Sequence, residues 1–90
     1  MAMKRNPNFL MREVAGSWVV VPVGEATRTF PGMMRLNPSG KLLWELLEQE
    51  QSEQSLIEAL LERYDVSVEV ASKDVAAFLE NIRSVGALME

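Results

Sequence analysis

Up to Leu36 the apolar residues come in short runs rich in β-branched and aromatic side chains. Beyond it they recur at helical spacing, and the change falls at Leu36-Asn37-Pro38. Phe9-Leu10-Met11-Arg12-Glu13-Val14 predicts a first strand, Ala15-Gly16-Ser17 a turn, and Trp18-Val19-Val20-Val21-Pro22-Val23 a second strand. Pro22 has no N–H to give a ladder, which puts it near the strand end or facing an unpaired side. After Gly24-Glu25-Ala26, residues Thr27 to Leu36 predict a third strand, interrupted or bent at Pro31-Gly32. The three strands make a meander, so the last one lies at a sheet edge.

Asn37 is placed to cap a helix that opens at Pro38, because proline lacks the N–H that a first-turn residue leaves unpaired and its φ is already helical. In that helix Leu42, Leu43, Trp44, Leu46 and Leu47 form a wide apolar arc opposite Lys41, Glu45 and Glu48, ending near Gln49. A polar stretch, Glu48 to Gln54, separates it from the next helix. Ser52 or Ser55 can cap that one, Ser55 in a Ser-x-x-Glu box with Glu58, and the pattern does not choose between them. Leu56, Ile57, Leu60, Leu61 and Tyr64 are its core face, and Asp65-Val66-Ser67 breaks it. A third helix starts close to 68–71, carries Val75, Phe78, Leu79 and Ile82 inward, and stops where Gly86 supplies a C′ residue. The predicted fold class is therefore α+β, in the order βββααα.

At 90 residues and 48% hydrophobic, the chain suits one small domain over residues 1–90 with one modest core. A domain of this size is marginally stable, and a partner or dimer would add to it. With no long apolar run, neither a signal peptide nor a membrane span is predicted, and a cytoplasmic location follows as the default. The absence of Cys and His removes disulfides and the usual transition-metal ligands.

Charge is unevenly distributed. Residues 1–40 carry Lys4, Arg5, Arg12, Arg28 and Arg35 against Glu13 and Glu25, a net +3; residues 41–90 carry four basic against eleven acidic side chains, a net −7. Two readings fit: helices that keep their outer faces soluble with glutamate, or a mildly basic sheet facing an acidic partner. The overall charge of −4 argues against a polyanion as main partner.

Catalytic chemistry has few candidates. A nucleophile needs a base within hydrogen-bond reach, and without His or Cys there remain hydroxyls, three lysines and scattered carboxylates. The glycines are too dispersed for a phosphate loop. Asp65 sits in a turn and Asp74 in the opening turns of a helix, both ordinary places for a carboxylate. No enzyme activity, cofactor or metal is expected.

Leu36-Asn37, Ser39-Gly40 and Leu43-Trp44-Glu45-Leu46-Leu47, then Leu60 and Tyr64-Asp65-Val66, then Asp74-Val75, Phe78-Leu79, Ile82 and Gly86-Ala87-Leu88 occur in the order and spacing of a known family. Over about 34–88 the chain resembles the PqqD-like proteins, named for pyrroloquinoline quinone (PQQ) biosynthesis, and the recognition elements of peptide-modifying enzymes. The resemblance implies a small winged-helix variant in which a three-stranded sheet packs on three helices. It implies a non-catalytic peptide chaperone that binds the leader segment of a ribosomally made precursor peptide. The chaperone presents that segment to a modifying enzyme, often a radical S-adenosylmethionine enzyme. Where such proteins carry an acidic residue and glycine between the first two helices, this chain has Glu48-Gln49-Glu50-Gln51-Ser52. A generic recognition element therefore fits better than one dedicated to the quinone pathway.

The same resemblance implies that the guest adds to the third strand beside the third helix, and an unpaired edge is independently a template for strand addition. The expected peptide contacts are Met33, Met34, Arg35 and Leu36 on the strand, with Asp74, Phe78 and Asn81 on the helix; Ala76 and Arg83 form the other flank. Two further readings are a winged-helix nucleic-acid binder and a structural module whose sheet edge pairs with its own copy; the oligomeric expectation is a monomer or weak homodimer. The first needs a basic recognition helix, and 68–85 holds Lys73 and Arg83 against Glu69, Asp74 and Glu80.

Overall fold

The computed structural model describes residues 2–30 and 32–90. In chain order the elements are strands β1 (Lys4–Arg5), β2 (Phe9–Val14) and β3 (Ser17–Pro22), helix α1 (Ala26–Thr29), strand β4 (Met34–Leu36), helices α2 (Pro38–Leu46), α3 (Glu53–Arg63) and α4 (Val68–Ser84), and strand β5 (Leu88–Met89). The main sheet has the order β2-β3-β4, antiparallel throughout, with Met11, Val20 and Met34 in one row and Arg12, Val19 and Arg35 in the next. Pro22 is the last residue of β3, where its missing N–H costs the ladder least.

The β2–β3 hairpin closes on Ala15 and Gly16, both at positive φ (52° and 81°), between the paired residues Val14 and Ser17. Such a two-residue turn matches the strand twist, but an alanine in the left-handed region is strained by roughly 1–2 kcal/mol. Ala15→Asn, which tolerates that conformation, is expected to raise the thermal midpoint by about 4–8 °C per kcal/mol recovered. A calorimetric scan of the variant checks it.

Each of the three long helices starts on a side-chain cap. Asn37 Oδ1 accepts from the Gly40 N–H at 2.8 Å, and Ser67 caps α4 through the Val70 N–H. At α3 the choice left open by the sequence falls on Ser52, which exchanges bonds with Ser55 rather than Ser55 with Glu58. The α4 end bears out Gly86 as its C′ residue: at φ +83°, its N–H reaches the Arg83 carbonyl while the Ala87 N–H reaches the Ile82 carbonyl.

Two features differ from the sequence expectation. Residues 27–36 do not form one strand: Ala26–Thr29 is a single helical turn and β4 has three residues. Gly24, at φ +61°, starts the turn; Thr27 Oγ1 donates to its carbonyl at 2.7 Å, and the Phe30 ring stacks on Phe9 with centroids 6.4 Å apart. Local bonds thus override the β preference of the threonines. Pro31, the other half of the expected interruption, lies outside the described residues. Second, the chain ends meet: β1 pairs with β5, and Met3 exchanges backbone bonds with Gln51.

The core lies between the main sheet and α2, α3 and α4. Trp44, Leu43, Leu47, Leu56, Leu60, Val75, Ile82 and Val20 are its largest fully buried side chains, and no polar side chain is buried among the described residues. The predicted inward faces of the three long helices are borne out here. In the sheet, Val20 and Leu36 point into this core, and Met34 packs against it.

Candidate functional site

Among the described residues β4 pairs on one side only, with β3, which leaves its other side open. Because ladder bonds alternate along a strand, half of the β4 backbone groups face away from β3. They look into a cleft of about 370 Å³ whose opposite wall is α4. Met34, Arg35 and Leu36 form the strand side, and Asp74, Ala77, Phe78 and Asn81 the helix side, closed at one end by Asn37, Ser39 and Gly40.

The helix wall follows from periodicity. Asp74, Ala77, Phe78 and Asn81 are spaced i, i+3, i+4, i+7 and so share one face of α4. The buried stripe Ala71, Val75, Phe78, Leu79 and Ile82 lies beside it. Phe78 belongs to both: it is 8% exposed, in the core by one edge and against the cleft by another. Gly40 brings the walls together, since a Cβ there would stand 3.0 Å from Asn37 Oδ1 and 3.5 Å from the Phe78 ring and the Leu36 side chain. Asn37 is occupied in capping, also accepting from Ser39 Oγ at 3.1 Å.

A second hollow of about 290 Å³ continues from the first, sharing Asn37, Ser39 and Asp74. Buried Leu60 floors it and Pro38, Tyr64 and Val66 wall it, so an apolar pocket opens at the end of β4. The carboxylate of Asp74 stands at the junction of the two spaces with no hydrogen-bond or ion-pair partner among the described residues.

Six of the seven residues selected from the sequence thus line one cleft. Met33 does not: it precedes β4, is 57% exposed, and is not part of the lining. Asn37, Ser39, Gly40 and Ala77 are lining residues that sequence reasoning missed, although the i+3 spacing of Ala77 from Asp74 marked it. Of the other flank, neither Ala76 nor Arg83 lines the cleft. Arg83 is held by Glu90 (Nη2–Oε1 2.7 Å) and Glu80 (3.2 Å), with the Glu90 hydrogen bond foremost in raising its pKa above the ordinary arginine value. Among the described residues no three His, Cys, Asp or Glu side chains cluster as a metal site would need, and no helix is long and apolar enough to cross a membrane.

An open sheet edge facing one side of α4 across a cleft, with an apolar side pocket, defines a small α+β domain built around that cleft. The family described as coenzyme PQQ synthesis protein D (PqqD) matches residues 17–88, and the chain belongs to that family. The fold is also that of two solved structures, each 18% identical with a TM-score of 0.75. One, described as TbiB1 in complex with the TbiA(beta) leader peptide, is matched over 94% of this chain and 93% of its own. The other, lasso peptide synthetase B1 complexed with the leader peptide, is matched over 98% of both. No curated protein matches the chain.

Proposed function

We propose that this protein binds the leader segment of a ribosomally made precursor peptide as an added strand on β4 and presents it to a modifying enzyme, without performing chemistry itself. The observation that carries the reading is the cleft, with an unpaired strand edge on one wall and the Asp74–Ala77–Phe78–Asn81 face on the other. The family membership and the two leader-peptide complexes of the same fold support it. A radical S-adenosylmethionine enzyme is the class of modifier that the family suggests.

The energetics suit a transient carrier. A three-residue strand offers only a few main-chain bonds, each worth about 0.5–1.5 kcal/mol net. One large apolar side chain buried in the Leu60 pocket adds about 1.5–3 kcal/mol, and a second can pack on Phe78. Micromolar affinity, about −8 kcal/mol, is within this range after ordering costs. Main-chain bonds are indifferent to sequence, so the side pockets must select the peptide.

The test is an amide-shift titration with short peptides encoded beside the gene. Shifts are expected at 34–36 and along 74–81, and N-methylation of the peptide should weaken binding at alternate positions only. Shifts that avoid both segments would overturn the reading. Leu36, being buried, is a poor place to test the edge by proline substitution, because folding would suffer too. Arg83, tied to two glutamates, leaves Lys73 as the cation of α4 without an ion-pair partner among the described residues, which weighs against a nucleic-acid role. Self-association would use the same edge, so any weak dimer should dissociate as peptide is added in a sedimentation series.

A further inference from the structure

The turn of the β2–β3 hairpin decides which backbone groups of the sheet are left free. Ala15 and Gly16, at φ 52° and 81°, make a two-residue connection between the paired residues Val14 and Ser17. The residues flanking such a turn exchange both backbone bonds, and bonded and non-bonded pairs then alternate along the strands. Arg12 with Val19 and Leu10 with Val21 are therefore bonded pairs. The Val23 N–H, which donates to the Asn8 carbonyl at 2.8 Å, continues the same alternation. Trp18, Val20 and Pro22 consequently turn their backbone groups the other way, toward β4.

In β4 the partners of Trp18 and Val20 are Leu36 and Met34. The N–H and C=O groups of these two residues are thus spent on β3, and the ladder stops where Pro22 has no N–H to continue it. Arg35 is left as the residue of β4 whose N–H and C=O both face the cleft.

The Arg35 side chain is equally set apart. Leu36 is buried and Met34 packs against the core, so Arg35 between them points to the outer face of the sheet, in a row with Val19 and Arg12. It is exposed there and has no hydrogen-bond or ion-pair partner among the described residues. The three strands place no acidic residue on that face: Glu13 is paired with Trp18, which packs on the core, and so lies on the other side.

A guest strand on β4 meets both features at once. Its residue opposite Arg35 shares the outer face, while the residues before and after it turn into the cleft, toward Phe78 and the Leu60 pocket. We infer that Arg35 sets both register and sequence of the guest: its backbone groups anchor the strand, and its guanidinium selects an acidic side chain opposite, flanked by apolar residues that enter the cleft. The inference rests on the function proposed above and names its substrate class, a leader segment with an apolar-acidic-apolar run. It also gives the basic first half of the chain a use, since Arg35 is the one of its five cations that lines the cleft.

The experiment has two parts, both on the whole chain. In the peptide-free protein, amide hydrogen exchange is expected to show Met34 and Leu36 protected and Arg35 exchanging at least about tenfold faster. The opposite order would overturn the inference with no peptide present. The probe is then acetylated and amidated Thr-Val-Thr-Leu-Glu-Leu-Thr-Val-Thr, which reads the same in both directions, with Gln and Lys versions of its central residue. The Glu peptide is expected to slow exchange at Arg35 and to bind about two- to fivefold tighter than the Gln peptide, with the Lys peptide weakest. That preference should vanish in Arg35→Gln and invert in Arg35→Glu. It should persist in Arg12→Gln, whose charge lies three strand spacings, about 14 Å, from the guest and is screened by salt. Equal affinities for the three peptides, a preference that survives Arg35→Gln, or no binding by any of them would each overturn the inference. None of these touches the β4 reading, which stands or falls on its own titration.

Discussion

Ala77→Trp is expected to weaken peptide binding by tenfold to more than a hundredfold while the protein stays folded. Ala77 is exposed on α4 and lines the β4 cleft between Asp74 and Asn81. An indole there occupies the space that a guest side chain would take, forfeiting about 1.5–3 kcal/mol of apolar burial and obstructing the strand's approach. Stability should change little, since an exposed helical alanine-to-tryptophan exchange costs under about 0.7 kcal/mol of propensity. Ala76→Trp is the control: it is exposed on the same helix but outside the cleft, and should leave affinity unchanged. Fluorescence anisotropy with a labelled peptide, alongside circular-dichroism melting, reads both quantities. Equal losses in the two variants would move the binding surface off this face of α4.

That the cleft could be assembled from sequence follows from where its residues sit. Asp74, Phe78 and Asn81 flank a strongly periodic stripe, and a 3.6-residue period fixes a face as well as an element. Asn37-Pro38 fixes the strand-to-helix switch by cap chemistry, so the edge residues just before it were legible too. Met33 was overextended because the strand start had no comparable signal. The Thr27–Leu36 segment was misread for a related reason: Thr27, Thr29 and Phe30 have β preference, yet Gly24 and the Thr27 hydroxyl nucleate a helical turn through bonds no periodicity records. The β1–β5 pairing was invisible because two-residue strands have no period.

Trp44→Ala is expected to lower the thermal midpoint by more than 12 °C. The indole is 1% exposed at the centre of the core, and truncating a buried tryptophan costs about 3–5 kcal/mol through lost transfer energy and the cavity left behind. Against roughly 5–13 kcal/mol for a domain of 90 residues, that is a large fraction of the total. The loss spreads by an identifiable route. Arg5 stacks on this ring, and its N–H bonds the Leu47 carbonyl at 2.9 Å, so the β1–β5 pair is fastened to α2 through the same residue. Trp44→Phe keeps most of the volume and an aromatic face for Arg5, and should retain more than half of the stability lost by alanine. Below its lowered midpoint Trp44→Ala should still bind peptide at β4, because Asn37, Ser39 and Gly40 are set by the cap rather than by the indole. Denaturant melts with both variants test this, and a small effect of alanine would remove Trp44 from the centre of the core.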